Sequence, residues 1–317
     1  MKFSITTDDA NQRLDIFLTE HDVAATRSQI KKLIQDGVAV VNGKPAKVHQ
    51  FLKVGDVVEI IKTTKQKIVT SVATGPTPKI IHEGKHYIVL SKPTGLLVHP
   101  TAKRESNTLL DWLTVHHPTI KRIGEDRQRG GIVHRLDRDV SGVMVVAKTQ
   151  KMFTSLKTQF SNRTVEKHYT ALVYGTVPQE TGDIELPIGR NKEGQFVAHP
   201  RRQGFKFHAT DRVAKTRYTV LEYVKDYTLL DVEIFTGRTH QIRVHLSAIG
   251  HPILGDQLYQ PRKKIFIFLQ RRIKVISLPR IFLHATTLAF DDLNGERQTY
   301  TAPVPPTLTT ILNGFKR

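Results

Sequence analysis

Residues 130–147 read Gly-Gly-Ile-Val-His-Arg-Leu-Asp-Arg-Asp-Val-Ser-Gly-Val-Met-Val-Val-Ala, and this stretch narrows the folds open to the chain more than any other. Its last third, Val143-Met144-Val145-Val146-Ala147, is a short β-branched run beside a glycine, the pattern of a buried strand. A loop crowded with ionisable side chains is thereby fastened to rigid structure at one end, where reactive groups are commonly held. Asp137 lies between Arg135 and Arg138, and a guanidinium beside a carboxylate favours its charged form. A charged, oriented carboxylate acts as a nucleophile or a base. A basic turn with one solvated Asp gives the same charge pattern, and that pattern alone favours the solvated reading. The rest of the chain has to decide.

The 317 residues allow one large or two modest domains. Lys and Arg number 48 against 29 Asp and Glu, a formal charge of +19 that points to a polyanionic partner, either nucleic acid or an acidic membrane surface. There is no Cys, which removes disulfides, thiolate catalysis, iron–sulfur clusters and Cys-type zinc sites together. The first nine residues carry no apolar signal core, and no apolar run reaches spanning length; Ile265-Phe266-Ile267-Phe268-Leu269 comes closest. A cytosolic protein without a membrane segment is expected.

Residues 11–62 read as a small unit. Leu14, Phe17 and Leu18 have helical spacing, and a second helix is predicted from Thr26 as N-cap to a stop at Gly37, with Ile30, Leu33 and Ile34 as its apolar stripe. Arg27 and Lys31 share one face, with Lys32 beside them. Val38-Ala39-Val40-Val41, the turn Asn42-Gly43 and the run 54–60 signal a short hairpin sheet. A charge run on one helix is usually a solvated face. In this surrounding pattern, from Arg13, Leu14 and Asp15 to Gly55 and Asp56, the unit resembles the αL RNA-binding module, which implies RNA contacts from Arg13, Arg27, Lys31 and Lys32.

Residues 66–78 are polar, with Gly and Pro and without periodicity, and read as a linker between domains at 1–65 and 79–317. Beyond it, strands are expected at Tyr87–Leu90 and 165–175, a helix at 150–161 with Phe153, Leu156 and Phe160 on one face, and a hairpin of residues 218–224 and 227–234. A further helix should run from Thr239 to Gly250. Many strands with few intervening helices give an α+β domain with a mixed, mostly antiparallel sheet and flanking helices.

His82-Glu83-Gly84-Lys85-His86 spells a zinc-protease motif, but that chemistry needs both His on one helical face. With Gly84 in the middle and a strand following at once, a turn between strands is the better reading. The second cluster is Thr236-Gly237-Arg238-Thr239-His240-Gln241-Ile242-Arg243-Val244-His245, at a helix start where free N–H groups attract anions. Arg238, just ahead of that helix, is placed to pair with a carboxylate or a phosphate. His240 and His245 are five apart and do not share a face as metal ligands would; each alone reads as a scaffold residue. Tyr169 on its strand is ordinarily a core aromatic; beside a nucleic-acid site it could stack on an extruded base.

Ser91-Lys92-Pro93-Thr94-Gly95, Val98-His99-Pro100, the 131–137 stretch, Glu166-Lys167-His168-Tyr169, Pro187-Ile188-Gly189-Arg190, the 236–245 cluster, Gly250-His251-Pro252-Ile253-Leu254-Gly255-Asp256 and Leu283-His284-Ala285 follow one another in order. Together they resemble the RluA family of RNA pseudouridine synthases, in its large-subunit ribosomal RNA form with an αL module ahead of the catalytic domain. Two departures stand out: Val140 replaces a usual Thr, and residues 261–280 are unusually basic and apolar.

The resemblance implies a pseudouridine synthase fold and isomerisation of uridine to pseudouridine in RNA, most naturally that of the large ribosomal subunit, by a monomer needing no cofactor or metal. It implies catalytic roles for Asp137, acting on the sugar as nucleophile or as base, for Arg238 as the arginine that pairs with it, and for Tyr169 against the flipped uracil. His134 and Arg135 would order the loop and displace RNA structure, and with His240 and Arg243 they are the expected RNA-contacting residues of this domain. The rival from another class is a non-catalytic RNA-binding or ribosome-assembly factor on the same scaffold; transfer RNA is the alternative substrate.

Overall fold

The computed structural model describes residues 1–21, 23, 27–35, 37–60, 75–100, 105–126, 129–199, 211–260 and 275–316. The chain packs as two units, Met1–Val72 and Ala73–Arg317. The Thr26 cap, the side chains of Arg27 and Lys32, most of the expected linker and residues 261–274 lie outside the described part.

In the first unit, helices α1 (Leu14–Glu20) and α2 (Arg27–Gln35) sit with a four-stranded antiparallel sheet of β1 (Lys2–Ser4), β2 (Ala39–Val41), β3 (Lys44–Pro45) and β4 (Val57–Ile60), in the order β1-β4-β2-β3. The apolar stripe does what its spacing requires: Leu14, Phe17, Leu18, Ile30 and Ile34 are buried together with Leu52 and Val58. Asn42 and Gly43 both take positive φ, the geometry of a tight two-residue hairpin turn. The Asn42 amide also donates to Asp56 Oδ1 at 2.8 Å and accepts from the Val57 N–H at 2.8 Å, which ties the turn to β4.

The second unit is built on a nine-stranded sheet. Its strands are β5 (Lys79–Glu83), β6 (Tyr87–Lys92), β7 (Ser141–Ala147), β8 (Glu166–Tyr174), β9 (Thr181–Ile184), β12 (Thr216–Val224), β13 (Tyr227–Ile234), β14 (Leu283–Asp291) and β15 (Arg297–Thr301). The order is β5-β6-β7-β14-β8-β13-β12-β9, with β15 also beside β14. A separate hairpin is made by β10 (Ile188–Arg190) and β11 (Phe196–Ala198). Every pairing is antiparallel except β7 with β14, so the sheet is mixed and mostly antiparallel. The 82–86 motif closes the β5–β6 hairpin, where the Gly84 N–H donates to Tyr87 O and the His82 ring packs on Tyr87 and Tyr300.

All seven residues of β7 are buried, and each fully buried Val or Met side chain contributes about 1.5–3 kcal/mol. Helix α4 (Gln150–Asn162), capped by Thr149, buries Met152, Phe153 and Leu156. Helix α3 (Leu109–His116) has a full capping box between Thr108 and Asp111. Its apolar residues at 109, 110, 112, 113 and 115 surround the helix, which leaves no sequence period to read. Helices α5 (Gln241–Ala248) and α6 (Pro306–Lys316) complete the unit.

Candidate active site

The acidic loop begins and ends on glycines that no other residue could replace. A Cβ on Gly131 would stand 1.9 Å from Ala147 O, and one on Gly142, whose φ is +131°, 2.2 Å from Ala285 O. β14 pairs with β7 only at Ser141 and Gly142. Further along, the returning segment takes that edge: the Ala147 N–H donates to Gly131 O, and Ile132 bridges Val146. His134 completes the pairing with its side chain, Nε2 accepting from the Val145 N–H at 3.0 Å while the ring stacks on Phe160. Burial holds its pKa down to about 3, so it stays neutral.

The loop is held from below by the 92–96 turn. Lys92 is fully buried, and its ammonium donates to Pro93 O (2.9 Å), Leu96 O (2.8 Å) and Arg138 O (3.1 Å). Burial pushes its pKa down to about 7 against the pull of Asp137 and Asp139. The Gly95 N–H donates to the same Arg138 O, and the Thr94 hydroxyl donates to Asp139 O. Three polar contacts thus fix the backbone on the C-terminal side of Asp137, leaving its carboxylate to face a cleft lined by Arg135, Tyr169, Arg238, His240 and Arg243.

Gln241 shapes the opposite wall. Its side-chain oxygen accepts from the Thr236 hydroxyl and the Arg238 N–H, while its amide nitrogen donates to Lys215 O and the Thr216 hydroxyl. This rolls residues 236–240 into a tight turn, leaves His240 left-handed at φ 57°, and starts α5 at Gln241, two residues later than the spacing suggests. The shift decides which arginine meets Asp137. Arg243, a turn inside the helix, is buried; its Nη1 donates to Asp137 Oδ2 at 3.4 Å, and its Nε and Nη2 donate to Asp256 at 2.7 and 2.8 Å. Arg238 instead lies exposed at the cleft mouth, its Nε donating to Val213 O at 3.1 Å. The expected pairing of Arg238 with Asp137 is therefore corrected to Arg243.

Tyr169 is buried on β8, paired with Val232 and Ala285, and its phenol lines the cleft. Burial first, and then the charge of Asp137, raises its pKa, so it stays a neutral phenol. His240 Nε2 stands 3.9 Å from Asp137 Oδ2, and Nδ1 lies 2.9 Å from the Tyr259 hydroxyl. Burial lowers the His240 pKa and raises that of Tyr259 to about 12.

The RNA pseudouridylate synthase family model matches residues 86–248, the span that carries Asp137, Tyr169 and Arg243. An S4 domain model matches residues 12–58. The chain belongs to the RNA pseudouridylate synthase family. It is 34% identical to an uncharacterized RNA pseudouridine synthase of Bacillus subtilis over 97% of this chain and 95% of that one. It is 35% identical to ribosomal large subunit pseudouridine synthase D of Pseudomonas aeruginosa, over 95% and 91%. Among solved structures, human RNA pseudouridylate synthase domain containing 1 superposes with a TM-score of 0.56 at 27% identity, covering 73% of this chain and 86% of that one. The family makes the chain an isomerase acting on RNA, as the ordered motifs imply.

Within this family member, the expected RNA-contacting residues fall into different surroundings. Arg135 is exposed on the cleft rim. His134 faces Phe160 and β7, and so holds the loop from its inner side. Arg243 is too buried to meet phosphate. Arg13 in the first unit is committed to Asp15, with two bonds of 3.0 and 2.9 Å, and contacts His49. Lys31 is exposed on α2. Lys92, Asp256 and Tyr259 went unread as site residues. Lys92 and Asp256 lie inside the ordered sequence motifs, and only their burial marks them. Among the described residues, no group of three His, Asp or Glu is arranged to hold a metal, and no helix is long and apolar enough to cross a membrane.

Proposed function

We propose that this pseudouridine synthase modifies uridine in large-subunit ribosomal RNA, with Asp137 as the group that acts on the sugar. The observation that carries the reading is the buried Arg243, which points one N–H at Asp137 in a cleft that also holds Tyr169. A base extruded from RNA enters such a cleft. Asp137 then attacks the sugar at C1′, in a bond that breaks again when C5 takes C1′, or takes the proton from C2′ and returns it there as C5 takes C1′. The N1–C1′ bond breaks, the uracil turns against Tyr169, and the C5–C1′ bond forms. C5 then loses its proton and N1 gains one, so atoms balance without any imported group. The substrate assignment rests on the ribosomal large subunit synthases among the relatives, at 33–35% identity over nearly the whole chain, and on the S4 domain at residues 12–58. A bacterial-type cytoplasm is the compartment in which that RNA is met. Arg135 and Arg238 at the cleft rim, with Lys31 on the first unit, supply phosphate contacts.

The test is tritium release from large-subunit RNA labelled at uracil C5, followed by mapping of the pseudouridines formed. The wild type should release tritium stoichiometrically with specific sites. Asp137→Asn should slow release by at least about 1000-fold while RNA affinity stays within about threefold. RNA binding without release by the wild type would favour the non-catalytic factor, and release from transfer RNA alone would move the substrate.

A further inference from the structure

Asp256 is used by no step above, yet it is bonded from several sides behind the cleft wall. Its carboxylate is completely buried and accepts four hydrogen bonds: from Arg243 Nε at 2.7 Å, Arg243 Nη2 at 2.8 Å, the Leu258 N–H at 2.9 Å and the Tyr259 N–H at 3.1 Å. The two backbone bonds fix the 256–259 turn, which carries Tyr259. The Tyr259 ring then lies against the Arg243 guanidinium at 5.1 Å, and its hydroxyl meets His240. One buried acid therefore sets both the cation and the imidazole that face Asp137.

The geometry of the fork is unequal. A free arginine beside a carboxylate closes on it with two parallel bonds, the strongest arrangement the pair has. Here both prongs of that arrangement go to Asp256, and Asp137 receives a single N–H at 3.4 Å. A carboxylate gripped by two short charge-assisted bonds is a poor nucleophile and a poor base; one oriented by a single longer contact keeps its lone pairs available.

We infer that Asp256 is a positioning residue that engages Arg243 from behind, so that Arg243 aims Asp137 without quenching it. This deepens the proposed reaction at the same site and rests on that reading. Asp256 touches no substrate atom and acts only through Arg243 and the Tyr259 turn. Loss of its charge frees the guanidinium to close on Asp137, and misplacement on the ångström scale is enough to slow chemistry by about 100-fold.

The experiment measures single-turnover tritium release with enzyme in excess, together with RNA affinity, for the wild type, Asp256→Asn, Arg243→Gln and the double variant. The wild type reports on the proposed reaction itself: without release from any RNA, that reading fails before Asp256 is tested. Given an active wild type, Asp256→Asn should lower the rate about 10- to 100-fold with RNA affinity within about threefold. In the Arg243→Gln background the same substitution should cost less than about twofold, because the residue it acts through is gone. A full rate in Asp256→Asn, a loss confined to affinity, or additive losses in the double variant would each overturn the inference. Should Asp256→Asn fail to fold, the comparison of Arg243→Gln with the double variant, in which neither partner is charged, decides alone. Equal rates support the inference, and a further loss of about tenfold refutes it.

Discussion

The two units of the chain place their positive charge in opposite ways. Among the described residues of the amino-terminal unit, Lys31, Lys44 and Lys47 are exposed, and Arg13 is half-buried against Asp15. Among the described residues, the buried cations Lys92, Lys167 and Arg243 all belong to the catalytic unit. The difference separates two uses of the same residue types. An exposed lysine attracts phosphate at a distance and is screened by salt. A buried one is screened little; Lys92 fixes a loop and Arg243 a carboxylate, at a desolvation cost offset by their hydrogen bonds. A net charge of +19 therefore announces a polyanionic partner but does not say which cations meet it.

This contrast breaks most easily at the two arginines of one cluster. Arg243→Gln should slow single-turnover release by at least about 100-fold and leave RNA affinity within about threefold. Arg238→Gln should weaken RNA binding and slow release by less than about tenfold. The reverse ranking, measured in the same titration, would return the Asp137 partnership to Arg238. Lys92→Met removes all three donors from the carbonyls below the acidic loop. A fall in rate of about three- to tenfold is expected, with RNA affinity unchanged, since backbone ties near Asp137 loosen while the cleft rim is untouched.

Lys31→Glu is the smaller effect on the other side of the comparison. RNA affinity should drop about two- to fivefold, the salt dependence of binding should shallow by about one to two ions, and release from saturating RNA should not change. An unaltered salt slope would remove Lys31 from the RNA face.

A last prediction concerns stability and sharpens the cost of burial. His99, His134 and His284 are held down to about 4, about 3 and about 4 by burial. In the unfolded chain they titrate near 6.5, so between about pH 6.5 and 4 the unfolded state binds more protons than the folded one. Their contribution is full above pH 6.5 and is lost as the pH falls through that window. The melting temperature should drop by several degrees between pH 7.5 and 5, by roughly 3 °C or more. His284→Gln should flatten the profile, and a melting temperature independent of pH over that range would contradict the assignment.

Much of the fold was legible because it rests on local pattern. The β-branched run at 143–147 is β7, the Phe153 and Leu156 spacing is α4, the 216–234 stretch is a hairpin, and Asn42-Gly43 turns where it should. The order of the motifs alone carried the family, and with it the α+β sheet and RNA as partner. Asp137 was marked by its place at the head of a buried strand.

What the tertiary structure decided is which side chains meet across the cleft. Helix α5 starts at Gln241 because Gln241 bonds back to Thr236, Arg238, Lys215 and Thr216, and the last two lie on and beside a different strand. That non-local bonding carries Arg243 inward and leaves Arg238 outside. The sequence offers His134 as an RNA contact and as a residue that orders the loop; because β14 leaves β7, its ring fills the vacant place at the strand edge and it orders the loop from within. Asp256 gains its meaning only from burial beside Arg243. A chain's periodicity fixes which face of an element is apolar, but the choice between two arginines five residues apart is made by contacts that reach 25 and 26 residues back in the sequence.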